Sequence, residues 1–153
     1  MALAPLPPEE RALVELRGVT RDTQAQRSLL ARFRDGQRLS VATNAAPNEP
    51  AVMQSNLAVS LAEPGYRDIH QAHLRQQCYR VSREELPRDS ALFLGLEGVD
   101  AWWYLSCPVG RPLLGAISVS FDYPDAPLDE AEEVLKAAAP NLEPLLLAPP
   151  GNP

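Results

Sequence analysis

The chain has 153 residues, of which 45% are hydrophobic and 22% charged, with a formal net charge of −6. That length is one domain's worth, and folding at this size buries roughly 70% of the unfolded surface, so a core forms without metal or disulfide staples. The composition excludes wholesale disorder, and the longest apolar runs, 101–105 and 145–148, fall far short of the ~20 residues of a membrane span. The opening MALAPLPPEE has no basic segment before its apolar residues, so no signal peptide is expected. A soluble cytoplasmic domain is the expectation that remains.

Charge is unevenly spread: residues 1–89 carry +1 and residues 90–153 carry −7. No basic stripe interleaves with aromatics, which argues against direct contact with nucleic acid. The local cluster Arg27, Arg32, Arg34 and Arg38 is diluted by Asp35 and is expected near a helix end. Thirteen arginines against the single Lys136, with abundant alanine and proline, suggest a GC-rich bacterial genome. Cys78 and Cys107 are too few for a disulfide scaffold or a four-ligand zinc site. Their large or β-branched neighbours (Tyr79 and Val81, Leu105 and Val109) are those of ordinary buried thiols.

In chain order, Pro7 and Pro8 followed by Glu9 and Glu10 start a helix, with Leu13, Val14 and Leu16 as its apolar side. Gly18 and Thr20 are expected to interrupt it. A second helical stretch through Leu29, Leu30 and Phe33 would end at Gly36; one kinked helix and two short ones both fit. Residues 38–43 alternate as a strand, and 44–50 form a turn-rich loop. Residues 51–62 fit a helix through Met53, Leu57 and Leu61, but a strand over 56–61 is preferred. Pro64-Gly65 is a break. Residues 66–77 form a short surface helix with Ile69, Ala72 and Leu74 near one side, 78–82 a strand, and 83–89 a loop.

Residues 101–121 read as a hairpin around Gly110-Arg111-Pro112. A three-residue loop pairs Leu105 with Ile117 and Trp103 with Val119, placing all the aliphatic bulk on one face. The other face then sets Trp102 against Ser120, Tyr104 against Ser118 and Ser106 against Ala116; a two-residue loop would scramble both faces. The last helix opens with Asp129 as cap and Glu132 completing a capping box. Val134, Leu135, Ala138, Leu142, Leu145 and Leu146 form its apolar stripe. Pro140 and Pro144 should kink or stop it near Ala139.

This order predicts an α+β class: an antiparallel sheet of about five to six strands with the terminal helices packed on one face. The expected layout is a single domain over 1–153, with a helical segment over 1–36, sheet and connecting helix over 37–127, a closing helix over 128–147 and a frayed tail over 148–153. The stretch GVDAWWYLSCPV over 98–109, then PLLGAISVSF over 112–121 and LDEAEEVL over 128–135, resembles the C-terminal half of a GAF domain, and AHLRQQCYRV over 72–81 is similar to that family's short helix and following strand. PAS, profilin and roadblock relatives share the topology. The resemblance implies a small-molecule sensing or regulatory module and a homodimer through its terminal helices; because the sequence ends with the closing helix, no output domain is expected after it.

In such a domain the free sheet face helps to form a ligand pocket. Independently, the hairpin supplies an aromatic and hydroxyl face: Trp102, Tyr104, Ser118 and Ser120, with Tyr66, Tyr79 and Phe93 as contributors from overlying segments. The competing reading is that Ala116, Ser118 and Ser120 simply let a terminal helix lie close. His70 and His73, three apart on a helix, with Asp68 could touch one metal, but a solvated helix face accounts for them and no metal site is expected. No nucleophile elbow, phosphate loop or facing carboxylate pair appears. Measured against the resemblance, the cysteine pattern of free methionine sulfoxide reductases, the cysteine-histidine of bilin-attaching members and the cyclic-nucleotide signature are all missing. The expectation is a non-enzyme with no identified cofactor. A protein-protein interaction module with a filled pocket is the alternative, and a cysteine-dependent redox enzyme a distant third.

Overall fold

The computed structural model describes residues 6–44 and 58–147. In chain order it contains α1 (Pro8–Thr23), β1 (Arg27–Arg34), β2 (Gln37–Asn44), β3 (Ala58–Ser60), α2 (Pro64–Leu74), β4 (Tyr79–Ser82), a 3-10 turn (Arg83–Glu85), α3 (Ala91–Gly98), β5 (Trp103–Val109), β6 (Gly115–Phe121) and α4 (Leu128–Leu147). The six strands form one sheet in the order β3-β2-β1-β6-β5-β4, every neighbouring pair antiparallel. Helices α1 and α4 pack together on one face, and α2 and α3 lie over the other. The α+β expectation, with terminal helices on one face of an antiparallel sheet, holds.

The main core lies between the sheet and the α1–α4 pair. Leu105, Cys107, Val109, Ile117, Val119 and Phe121 of the hairpin meet Ala12, Leu16, Leu135, Leu142 and Leu146. Each fully buried aliphatic side chain here stabilises by about 1.5–3 kcal/mol relative to exposure. Gly115 lets α4 come this close, because a side chain there would run into the Ala31 carbonyl and Leu146. A smaller core of Ile69, Val81, Leu92, Leu96, Ala101 and Tyr104 holds α2 and α3 to the opposite face.

Several local expectations are corrected. Residues 27–34 are a strand, so the 1–36 segment is a helix followed by a strand. β1 lies between β2 and β6 with helices on both sides, so apolar residues on both its faces imitate a helical pattern. Gly36 does not end a helix: Asp35 (φ 54°) and Gly36 (φ 75°) form the tight turn joining β1 to β2. The arginine cluster is therefore on two paired strands rather than at a helix end. Helix α1 runs through Gly18 and Thr20 to Thr23, because the Thr20 hydroxyl donates back to the Leu16 carbonyl at 2.8 Å instead of breaking the turn. Pro64-Gly65 is the first turn of α2, with Glu63 accepting from the Gly65 N–H at 2.8 Å. Helix α3 has no counterpart in the sequence reading. It is apolar nearly all round and so lacks a helical period, and Ser90 caps it by accepting from the Phe93 N–H.

Strands β2 and β4 fall where the alternation places them, and β3 occupies 58–60 of the preferred strand; residues 51–57, most of the 44–50 loop and the 148–153 tail lie outside the described residues. The hairpin loop has five residues, 110–114, so Tyr104 faces Ser120 and Ser106 faces Ser118. The two-residue shift is even, and both faces keep their expected side chains. Helix α4 begins one residue before Asp129 and continues through both prolines. Pro140 and Pro144 are exposed and four apart, so the carbonyls they release (Lys136 and Pro140) face water while Leu142, Leu145 and Leu146 stay packed. Asp129 and Glu132 accept from Arg80 instead of closing a capping box.

Cys78 and Cys107 are joined in a disulfide, which corrects the expectation of free thiols. The β4–β5 register sets Tyr79 opposite Ser106 and so brings the two cysteines face to face across the sheet edge. Among the described residues no helix is long and apolar enough to cross a membrane.

Candidate functional site

Opposite the main core, the sheet does not meet its covering helices everywhere. Under α3 and the start of α2 it leaves a cavity of ≈ 500 Å³, within the usual range for small-molecule sites. Arg38 and Ser40 of β2, Arg27 and Leu29 of β1, Ser118 and Ser120 of β6 and Tyr104 of β5 form its floor. The roof is Tyr66 of α2 with Leu92, Gly95 and Leu96 of α3, and Val59 and Ser60 of β3 close one side. A bulge in the β1–β2 pairing between Leu30 and Ala31 makes this floor possible: it leaves Arg38 and Ser40 on the cavity face while Ala42 faces the main core. Ser118 and Ser120 are small enough to leave the space beneath α3. The terminal helices cover the other face, so these serines do not serve their approach.

Of the seven side chains singled out in the sequence, Tyr66, Tyr104, Ser118 and Ser120 come together around this cavity. The other three sit elsewhere. Trp102 precedes β5, because the longer hairpin loop moves it past the end of the pairing; its backbone N–H donates to the Phe121 carbonyl and its carbonyl accepts from the Arg83 backbone N–H. Tyr79 packs at the edge of the smaller core beside Ile69 and Val81. Phe93 is buried but does not line the cavity, where α3 presents Leu92 and Leu96; it borders a separate recess with Arg88 and Glu97.

The polar group that sequence reasoning missed is Arg38. It is only 4% exposed. Its Nη2 donates to the Tyr104 hydroxyl at 2.6 Å and to Ser118 Oγ at 3.3 Å. The guanidinium carbon lies 5.0 Å from the centre of the Tyr66 ring and 5.9 Å from that of Phe33, a cation–π arrangement. Arg27, the other arginine of the floor, differs in kind: both its terminal nitrogens donate to Asp122, at 2.7 and 2.8 Å. The one available signal for Arg38 was an arginine in step with Ser40 on an alternating strand. Burial raises the Tyr66 phenol well above its ordinary range, so it remains a proton donor.

Among the described residues no cluster of three or more potential metal-ligating side chains occurs, and the two histidines have separate surroundings. His73 is fully buried rather than solvated. Its Nδ1 lies 2.9 Å from the Gln77 carbonyl and its Nε2 2.8 Å from Ser106 Oγ. The carbonyl can only accept, which places the proton on Nδ1 and leaves Nε2 to accept from Ser106. Burial pushes its pKa down to about 4. His70 stacks edge-on against Phe33 at 5.3 Å. Neither cysteine lines the cavity: Cys107 belongs to the α1–α4 core and Cys78 packs against it.

No family model matches the chain, and no curated protein matches it. Solved structures do. The GAF domain of a two-component sensor histidine kinase from Bacillus halodurans superposes with a TM-score of 0.72 at 9% identity, over 90% of this chain and 92% of that one. The phycoerythrobilin-bound GAF domain of a cyanobacterial phytochrome gives 0.69 at 12% identity, over 92% and 86%. A type II free methionine-R-sulfoxide reductase from Thermoplasma acidophilum gives 0.69 at 14% identity, over 91% and 92%. Against the chromophore-binding domain of a bacteriophytochrome from R. palustris, the chain spans 54% of that chain. The fold is GAF-like.

Proposed function

We propose that this GAF-like domain is a non-catalytic sensing or regulatory module that reversibly binds a small amphipathic molecule in the cavity beneath α3. The observation that carries the reading is the cavity itself: ≈ 500 Å³, walled by apolar side chains of α3 and floored by a few converging hydroxyls and two arginines, Arg27 and Arg38. An interaction module with a filled pocket would have larger residues at Ser118 and Ser120. Solved domains of the same fold include one with bound phycoerythrobilin, which supports a small-molecule ligand in general terms. A non-catalytic role fits a lining that, among the described residues, has no carboxylate, histidine or cysteine. For a homodimer through the terminal helices, the support is the apolar exposure of Val14 on α1 and Leu147 on α4, at 52% and 65%.

The test uses 2-naphthamide, a neutral amphipathic probe, followed by saturation-transfer NMR. The reading expects a signal with the wild type that disappears in Ser118→Leu, whose side chain enters the cavity. An equal signal from both proteins would mean that the probe binds elsewhere and would remove the support for a ligand site.

A further inference from the structure

Resting on the cavity reading, we infer that the molecule held there is a monoanion with an apolar body, a carboxylate bound by the Arg38 guanidinium. A cation withdrawn from water is tolerated when a counter-charge or a full set of hydrogen bonds replaces the lost solvation. Arg38 is 4% exposed, and among the described residues no carboxylate lies within ion-pair distance of it. Its polar partners are two neutral hydroxyls, both reached from the same nitrogen, Nη2. A guanidinium has five N–H donors, so most of its hydrogen-bonding capacity is not taken up by these contacts.

Arg27 shows what the same fold does with an arginine that serves structure. It receives Asp122 in two-point contact, adds Ser120 and the Val99 carbonyl, and is thereby neutralised. Among the described residues no such carboxylate is provided for Arg38, and none of those lining the cavity is an aspartate or glutamate. The positive charge is therefore left for an occupant. The fork of a guanidinium matches a carboxylate in two-point geometry. Tyr66, held protonated by burial, adds a donor hydroxyl on the roof that makes no hydrogen bond among the described residues. Beyond this polar end the walls are Val59, Leu92 and Leu96, which suit an apolar body. One guanidinium balances one negative charge, so a monoanion fits better than a doubly charged phosphate ester.

The experiment compares 2-naphthoate with 2-naphthamide, near-isosteres that differ in charge, by isothermal titration at pH 7 and low salt. The expected result is at least tenfold tighter binding of naphthoate to the wild type, a preference lost in Arg38→Met and partly kept in Arg38→Lys, while the amide binds all three within about threefold. Equal binding of the two probes by the wild type overturns the anion inference and leaves the cavity reading standing. Binding of neither overturns both. Should Arg38→Met not fold, as judged by circular dichroism, the wild-type comparison decides alone. A second readout needs no ligand: removing an uncompensated buried cation should raise the thermal midpoint of the empty protein in Arg38→Met. A fall would make Arg38 a structural residue and would count against the inference.

Discussion

His73 makes the protein acid-labile in a defined window. Its folded-state pKa of about 4 lies below the roughly 6.5 of an unfolded chain. A base with a depressed pKa stabilises the fold fully above the unfolded value, and that contribution is lost as pH falls toward the folded one. From pH 7.5 to pH 5.0 the unfolded chain takes up the proton and the folded one does not. With a 2.5-unit gap the linkage relation gives a loss of about 2 kcal/mol over that interval. For a domain of this size a urea slope of roughly 2 kcal/mol/M turns this into a midpoint lower by about 1 M. Urea denaturation at the two pH values, in the wild type and in His73→Gln, measures it. The variant should be less stable at pH 7.5, since it disturbs the Gln77 and Ser106 hydrogen bonds, and its midpoint should move little with pH. An equal pH dependence in both proteins would show that His73 is not buried neutral and would refute the reasoning.

Three other consequences can be checked directly. Denatured without reductant, the chain should show no thiol to Ellman's reagent, and the Cys78→Ser/Cys107→Ser variant should lose about 2–4 kcal/mol of stability for a cross-link between residues 29 apart. Two reactive thiols in oxidised protein would contradict the pairing. Pro140→Ala should raise the thermal midpoint by several degrees, because it restores a backbone donor on the exposed side of a helix already held by packing, a gain of about 1–3 kcal/mol; a lower midpoint would mean that the helix needs the proline. Leu105→Ala, emptying a fully buried position between the sheet and α4, should cost about 2–5 kcal/mol with the fold retained, read by urea midpoint.

The hairpin was legible because a face assignment survives an even error in register: Leu105 and Ile117 remain inside whether the loop has three residues or five. Elements with one apolar face, α1, α2 and α4, were legible for the same reason. β1 and α3 were not, since both are covered on two sides and neither shows the period that marks its type. The aromatic and hydroxyl face pointed to the right side of the sheet, but Trp102 was misplaced by the two-residue register error and Phe93 by the unseen helix. Arg38 and the Cys78–Cys107 bond depend on contacts across strands. Arg38 meets Tyr104 and Ser118, 66 and 80 residues away, and each partner looks ordinary in its own neighbourhood.

The most direct test of the account is native mass spectrometry of the purified protein, before and after denaturation of the same sample. The account predicts an additional mass on the order of a few hundred daltons, suited to a cavity of this size, that leaves on denaturation and is detected as an anion. A bare chain mass in both states, unchanged after incubation with millimolar 2-naphthoate, would contradict it.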